Sequence, residues 1–112
     1  MSSPVNILTT GEEIATDEFI DGKRVYKKRI DCGELPNSGE GSTIPTGLTN
    51  VTYVDLKGGL NPDSSQFVPC NMYFNSNLNI GAFIQENNVR IMNNASGGRT
   101  GNVYVTVYYT KN

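Results

Sequence analysis

The chain contains no histidine and no tryptophan, and two cysteines are its only thiols. Without histidine the commonest general base is missing, and with it the Ser–His and Cys–His nucleophilic pairs. Two cysteines cannot close a tetrahedral zinc site within one chain, so no metal is expected. Cys32 and Cys70 are expected as buried thiols, with a single disulfide as the alternative if the protein matures outside a cell. Acid pairs remain as a route to hydrolysis, but eight of the eleven acids fall in residues 1 to 40, around turns and a charged stretch. Asp63 and Glu86 sit in expected turns, where an exposed acid is an ordinary occupant. No glycine-rich loop opens into a helix that could cradle a phosphate. The expectation is a protein that uses no cofactor and is not an enzyme.

Charge is scarce as well. A net charge of −2 gives no electrostatic case for nucleic acid, whose binders present a basic patch sized to several phosphates. The exception is the run of Lys23, Arg24, Lys27, Lys28 and Arg29. Strand alternation divides that run between two faces, and Asp17, Glu18, Asp21 and Asp31 lie close by, so it reads as a solvated or edge-protecting strand. No segment approaches the roughly 20 apolar residues of a membrane helix, and Met1-Ser2-Ser3-Pro4 opens without signal-peptide features. Synthesis in the cytoplasm and no membrane partner are expected.

What the chain has in quantity is glycine and asparagine. With an apolar content of 37%, this composition favours a turn-rich β protein over a helical bundle. At 112 residues it reads as one domain, residues 1–112, large enough for a core and small enough that oligomerisation would help it. Asp21-Gly22 is a tight reversal that opens into a strand from Lys23. Along that strand Arg24, Tyr26, Lys28, Ile30 and Cys32 share the better core face, opposite Lys23, Val25, Lys27, Arg29 and Asp31. Further strands are expected at Val5 to Thr9, Ser42 to Ile44, Val51 to Leu60 and Gln66 to Phe74. Residues 12 to 19 read as β rather than as a two-turn helix. In the fourth stretch Thr52, Val54 and Leu56 lie opposite Val51, Tyr53 and Asp55, and Gly58-Gly59 permits a bulge or bend. Pro69 demotes the Gln66 stretch to an edge or an irregular strand. Leu78, Ile80, Ala82 and Ile84 form an inward row, and Asn87-Asn88 makes a hairpin turn before Val89. Seven to nine short strands, with turns about every ten residues, indicate an antiparallel β-sandwich of jelly-roll or immunoglobulin-like character.

The last strand is apolar on one face, through Val103, Val105, Val107 and Tyr109. It is aromatic and hydroxylic on the other, through Tyr104, Thr106, Tyr108 and Thr110. A strand packed on both faces is expected in a sandwich or at a subunit contact, which makes Tyr104 and Tyr108 candidates for an oligomer interface. Tyr73, Phe74, Asn75 and Asn77 combine flat aromatic surface with amide donors and acceptors, a mixture suited to sugars, and are the candidate ligand-binding residues. The alternative puts Phe74 in the core and leaves the asparagines as turn formers.

Phe19-Ile20-Asp21-Gly22-Lys23-Arg24-Val25-Tyr26-Lys27-Lys28-Arg29-Ile30-Asp31 resembles an aromatic-x-Asp-Gly-Lys-x-(Ile/Val)-Tyr-x-Lys-x-Ile-Asp segment. That segment belongs to C-terminal domains of tail-fibre and baseplate proteins of phages and prophages. Gly33-Glu34-Leu35-Pro36-Asn37 is similar to the Gly-x-Leu-Pro-Asn of that family. Gly101 to Lys111 is similar to its closing Gly-x-Val-x-Val-x-(Val/Ile)-x-Tyr-Thr-Lys strand. Phe19 stands where Trp is usual. The resemblance covers roughly residues 12 to 112 and implies a virion structural protein, a homotrimer that contacts bacterial surface glycan. Phe19, Asp21, Gly22 and Tyr26 carry the motif and are expected to be structural. A small decoration protein of capsid or head fibre is the alternative, with residues 1–18 as the candidate attachment segment to other virion proteins.

Overall fold

The computed structural model describes residues 9–72, 79–96 and 99–112. These residues form eight strands and no helix: β1 Glu13–Ile20, β2 Lys23–Glu34, β3 Gly41–Pro45, β4 Val51–Asn61, β5 Val68–Pro69, β6 Ile80–Gln85, β7 Asn88–Asn93 and β8 Asn102–Lys111. Five make one antiparallel sheet in the order β1-β2-β8-β4-β5, and three make a second in the order β3-β7-β6. The sheets share one core, so the expected all-β sandwich is the observed architecture.

The chain reaches this arrangement through local reversals and one long-range insertion. Asp21 and Gly22, at φ 51° and 79°, join Ile20 to Lys23 in a two-residue hairpin turn whose twist matches its strands. The β6–β7 turn lies one residue earlier than the sequence suggests. Glu86 and Asn87 are the left-handed pair, at φ 53° and 62°, and Asn88 already pairs with Gln85 in the ladder. That register sets Ala82 against Ile91 and Ile84 against Val89 on the inward face. β8 is then inserted between β2 and β4, pairing from Val25↔Thr110 to Glu34↔Asn102 on one side and from Val51↔Lys111 to Asn61↔Asn102 on the other.

The core follows from this central position. Val103, Val105, Val107 and Tyr109 are each at most 1% exposed. They meet Ile30 and Cys32 of β2, Leu60 of β4, and Ile80, Ala82, Val89 and Ile91 of the smaller sheet. At about 25 cal/mol per Å² of apolar surface removed from water, this cluster is the main stabilising term. Asn93, itself buried, is satisfied by the Pro36 carbonyl at 2.8 Å and the Ala95 N–H at 3.0 Å.

Several expectations change where long-range packing overrides alternation. The basic strand does not protect an edge: β2 lies between β1 and β8, and β1 is the edge. Tyr26, Ile30 and Cys32 face the core as expected, but Val25, assigned outward, is 1% exposed. β1 shifts register between Ala15 and Phe19, and Ile20 and Val54 flank Val25 on the outer face of the sheet. In β4 the bulge falls between Tyr53 and Asp55, not at Gly58-Gly59. The extra residue turns Leu56 inward with Val51 and Tyr53, and leaves Val54 38% exposed. Of the stretch expected from Gln66 to Phe74, the described residues to Met72 form a strand only at Val68–Pro69, at the sheet edge, where proline's missing donor costs least. Leu78 and residues 5 to 8 lie outside the described residues, while Thr10 makes a single parallel bridge with Arg29.

The free edge of β6 is covered by a side chain. The Asn71 amide donates to the Ala82 carbonyl and accepts from the Ala82 N–H, both at 2.9 Å, as a neighbouring strand would.

One end of the sandwich holds three tyrosines. Tyr26 stacks on Tyr109 with centroids 6.0 Å apart, and Tyr53 meets Tyr109 edge-on at 6.3 Å. The Tyr109 hydroxyl donates to Glu13 Oε1 at 2.6 Å, and Lys111 Nζ lies 2.9 Å from Glu13 Oε2. Burial pushes the Glu13 carboxyl up, but the Tyr109 and Lys111 hydrogen bonds and the nearby ammonium charges outweigh it and hold the group below its ordinary value. A depressed carboxyl contributes stability above its unfolded-state pKa and loses that contribution as pH falls through its folded-state value. The stability difference between the native chain and Glu13→Gln should therefore shrink between about pH 6 and about pH 3. Thermal melts of both proteins across that range check it, and a constant difference would sink the assignment.

Candidate functional site

The outer face of the five-stranded sheet is uncovered by the three-stranded one, and alternation along β8 turns Tyr104, Thr106 and Tyr108 onto it. Tyr104 and Tyr108, four residues apart on one strand, are separated by about 14 Å along its axis. Their cross-strand neighbours come from both sides. Arg29 of β2 lies over the Tyr104 ring at 4.1 Å from its centroid, and Lys57 of β4 lies over Tyr108 at 5.1 Å. Arg29 is also hydrogen-bonded to Thr10 Oγ1 at 3.3 Å, which holds its guanidinium in place.

Two features extend this face. At one end Gly59 pairs with Tyr104, so a side chain on Gly59 would point outward. A Cβ there would stand 2.2 Å from the Val68 carbonyl oxygen and 2.9 Å from the Phe67 ring, which packs over Gly59 and remains 58% exposed. At the other end a groove of about 180 Å³ runs between Ile20, Val25, Val54 and Tyr108, with Glu18, Asp55 and Lys57 among its walls. Ile20 is 41% exposed. The face is thus an aromatic line, Phe67, Tyr104 and Tyr108, interleaved with cations and hydroxyls and ending in an apolar groove. Such a surface offers flat apolar contact together with directional polar contact, and no reactive nucleophile.

The structure distributes the sequence candidates unevenly. Tyr104 and Tyr108 belong to this face. Tyr73, Phe74, Asn75 and Asn77 lie outside the described residues. The residues leading to them, Cys70 and Asn71, line a second cleft of about 290 Å³ with Phe67 and Pro69 at the β5 edge. Of the motif residues, Asp21 and Gly22 form the hairpin turn and Tyr26 stacks in the tyrosine cluster. Phe19 is 55% exposed, with Arg24 over its ring at 4.7 Å. Arg24 also donates to the Thr16 carbonyl at 2.7 Å, so Phe19 braces the hairpin from outside the core.

Cys32 and Cys70 are free thiols. Burial pushes Cys32 up to about 12, with the neighbouring Cys70 and Asp31 adding to the rise, and burial pushes Cys70 up to about 11. Neither supplies a thiolate near neutral pH. Among the described residues no group of three or more Cys, Asp and Glu side chains is placed to hold a metal ion.

Sequence reasoning reached the β8 tyrosines through alternation and missed Phe67, Arg29 and Lys57 as their companions. Gly59 was the available signal, since a glycine within a strand marks a close approach by another group. Comparisons with family models, with curated proteins and with solved structures find no match for this chain.

Proposed function

We propose that the chain is a virion structural module of phage tail-fibre or baseplate type, which attaches the particle to carbohydrate on the bacterial surface and works as a homotrimer. What supports this reading is the way the three segments that resemble that family hold one another. The Phe19 to Asp31 segment supplies the β1–β2 hairpin, and β2 pairs along its length with β8, the closing segment. The Leu35 N–H, in the Gly-x-Leu-Pro-Asn segment, donates to the Gly101 carbonyl at 2.9 Å. The resembling residues therefore build one continuous framework, and its outer face carries Tyr104 and Tyr108.

The test is light scattering of the purified chain, followed on the same sample by binding to intact bacterial cells and their wall polysaccharides. A trimer that binds is the expected result. A monomer that binds neither cells nor polysaccharide would replace this reading with the decoration role.

A further inference from the structure

The outer face of the larger sheet carries three cations with no carboxylate within ion-pair distance among the described residues. Alternation puts Lys23, Lys27 and Arg29 of β2 on that face, together with Lys57 of β4. Among the described residues the ion pairs are Lys57 with Asp55, at 3.9 Å and solvent-exposed, and Lys111 with Glu13. Lys23, Lys27 and Arg29 therefore have no acidic partner there. The carboxylates on the same face keep their charge but sit apart from Lys27 and Arg29: Asp55 accepts from the Leu56 N–H and Asp31 from the Gly33 N–H, each at 2.8 Å, and Glu18 lines the groove beside Ile20. In a chain of net charge −2, unpaired cations and exposed aromatics have been gathered on one surface.

We propose that this face binds a linear glycan bearing carboxylate or phosphate groups. Its sugar rings lie on Phe67 and against Tyr104 and Tyr108, and its acidic groups meet Lys27 and Arg29. The proposal rests on the attachment reading and names its ligand class. Charge-assisted hydrogen bonds from a held guanidinium supply the acid contacts, and the Tyr and Thr106 hydroxyls face sugar hydroxyls. Single-stranded nucleic acid is the competing polyanion; the hydroxyls interleaved with the aromatic rings favour a glycan, and oligo-dT is carried as an arm of the test. A second copy laid on this surface about a two-fold axis would set cations against one another, so this face goes to the glycan and the trimer contact lies elsewhere than the interface expected at Tyr104 and Tyr108.

Titration calorimetry at low ionic strength tests this with four probes: polygalacturonate and poly(glycerol phosphate) as the two acidic chemistries, dextran as a neutral glycan, and oligo-dT. Binding of either acidic glycan, with dextran inert and affinity falling as salt rises, is the expected result, and the two acidic arms tell carboxylate from phosphate. Lys27→Gln and Arg29→Gln should each weaken that binding by about tenfold, since each removes a charge-assisted contact. Tyr108→Ala should weaken it with the melting temperature of the β-sandwich largely kept. Equal binding of dextran, no binding of either acidic glycan, tighter binding of oligo-dT, or unchanged affinity in both charge variants would each overturn the proposal. Cell binding that survives intact in the double charge variant would overturn it while leaving the attachment reading standing.

Discussion

Tyr109→Ala should lower the unfolding free energy by about 4 kcal/mol, within the range for deleting a buried aromatic ring. Tyr109 is fully buried at the end of the central strand, stacked on Tyr26 and edge-on to Tyr53. Its loss removes the ring and also leaves Glu13 without the 2.6 Å hydrogen bond that orients it. A domain of this size has roughly 5–15 kcal/mol in total, so the variant stands near the limit of folding. Tyr109→Phe separates the two contributions. It keeps the ring and gives up only a charge-assisted hydrogen bond to a partly exposed acid, about 1.5 kcal/mol. Urea denaturation with an unchanged m-value measures both, and a loss below about 1 kcal/mol for the alanine variant would contradict the burial of Tyr109 against Tyr26 and Tyr53.

Gly58→Ala is expected to be nearly as damaging, about 3 kcal/mol or more, for the opposite reason. A Cβ at this position would stand 2.2 Å from the Tyr104 carbonyl oxygen and 2.7 Å from the Val105 Cα. Both atoms are backbone of β8, so no rotamer change relieves the contact and the β4–β8 ladder must open. Gly81→Ala is the control, because a Cβ there meets nothing closer than 4.0 Å. It should be neutral or slightly stabilising through the reduced freedom of the unfolded chain. Equal melting temperatures for the two variants would show that the close approach of β4 and β8 does not limit stability.

The contrast between these two glycines marks how far the sequence could be read. Both sit in strand-like stretches, and the Gly58-Gly59 pair suggests only a bulge or bend, not a close approach at Gly58. What distinguishes Gly58 is its cross-strand neighbour Val105, far along the chain. The same holds for Val25, which alternation sends outward and which the β1 register shift and the apolar residues around it bury. It holds for β4, where one extra residue between Tyr53 and Asp55 exchanges the faces of everything after it. In the candidate site, Tyr104 and Tyr108 were legible because β8 alternates without interruption. Phe67, Arg29 and Lys57 were not, because Arg29 and Lys57 reach the face from β2 and β4 and Phe67 from the loop before β5.

The sequence by itself determined the elements whose causes lie within a few residues. Asp21-Gly22 can adopt the two left-handed conformations of a tight turn, and Pro69 lacks the donor a central strand needs. The valines of β8 repeat every second residue, so one face had to be buried whatever its neighbours were. Composition alone excluded histidine chemistry. The tertiary structure decided which strands lie side by side, because the order β1-β2-β8-β4-β5 is selected by the summed burial and pairing of distant segments. It alone brought cations from β2 and β4 and the Phe67 ring to the β8 tyrosines. A surface assembled from four strand neighbourhoods has no local code, since each residue's place on it depends on the register of a strand it is not part of.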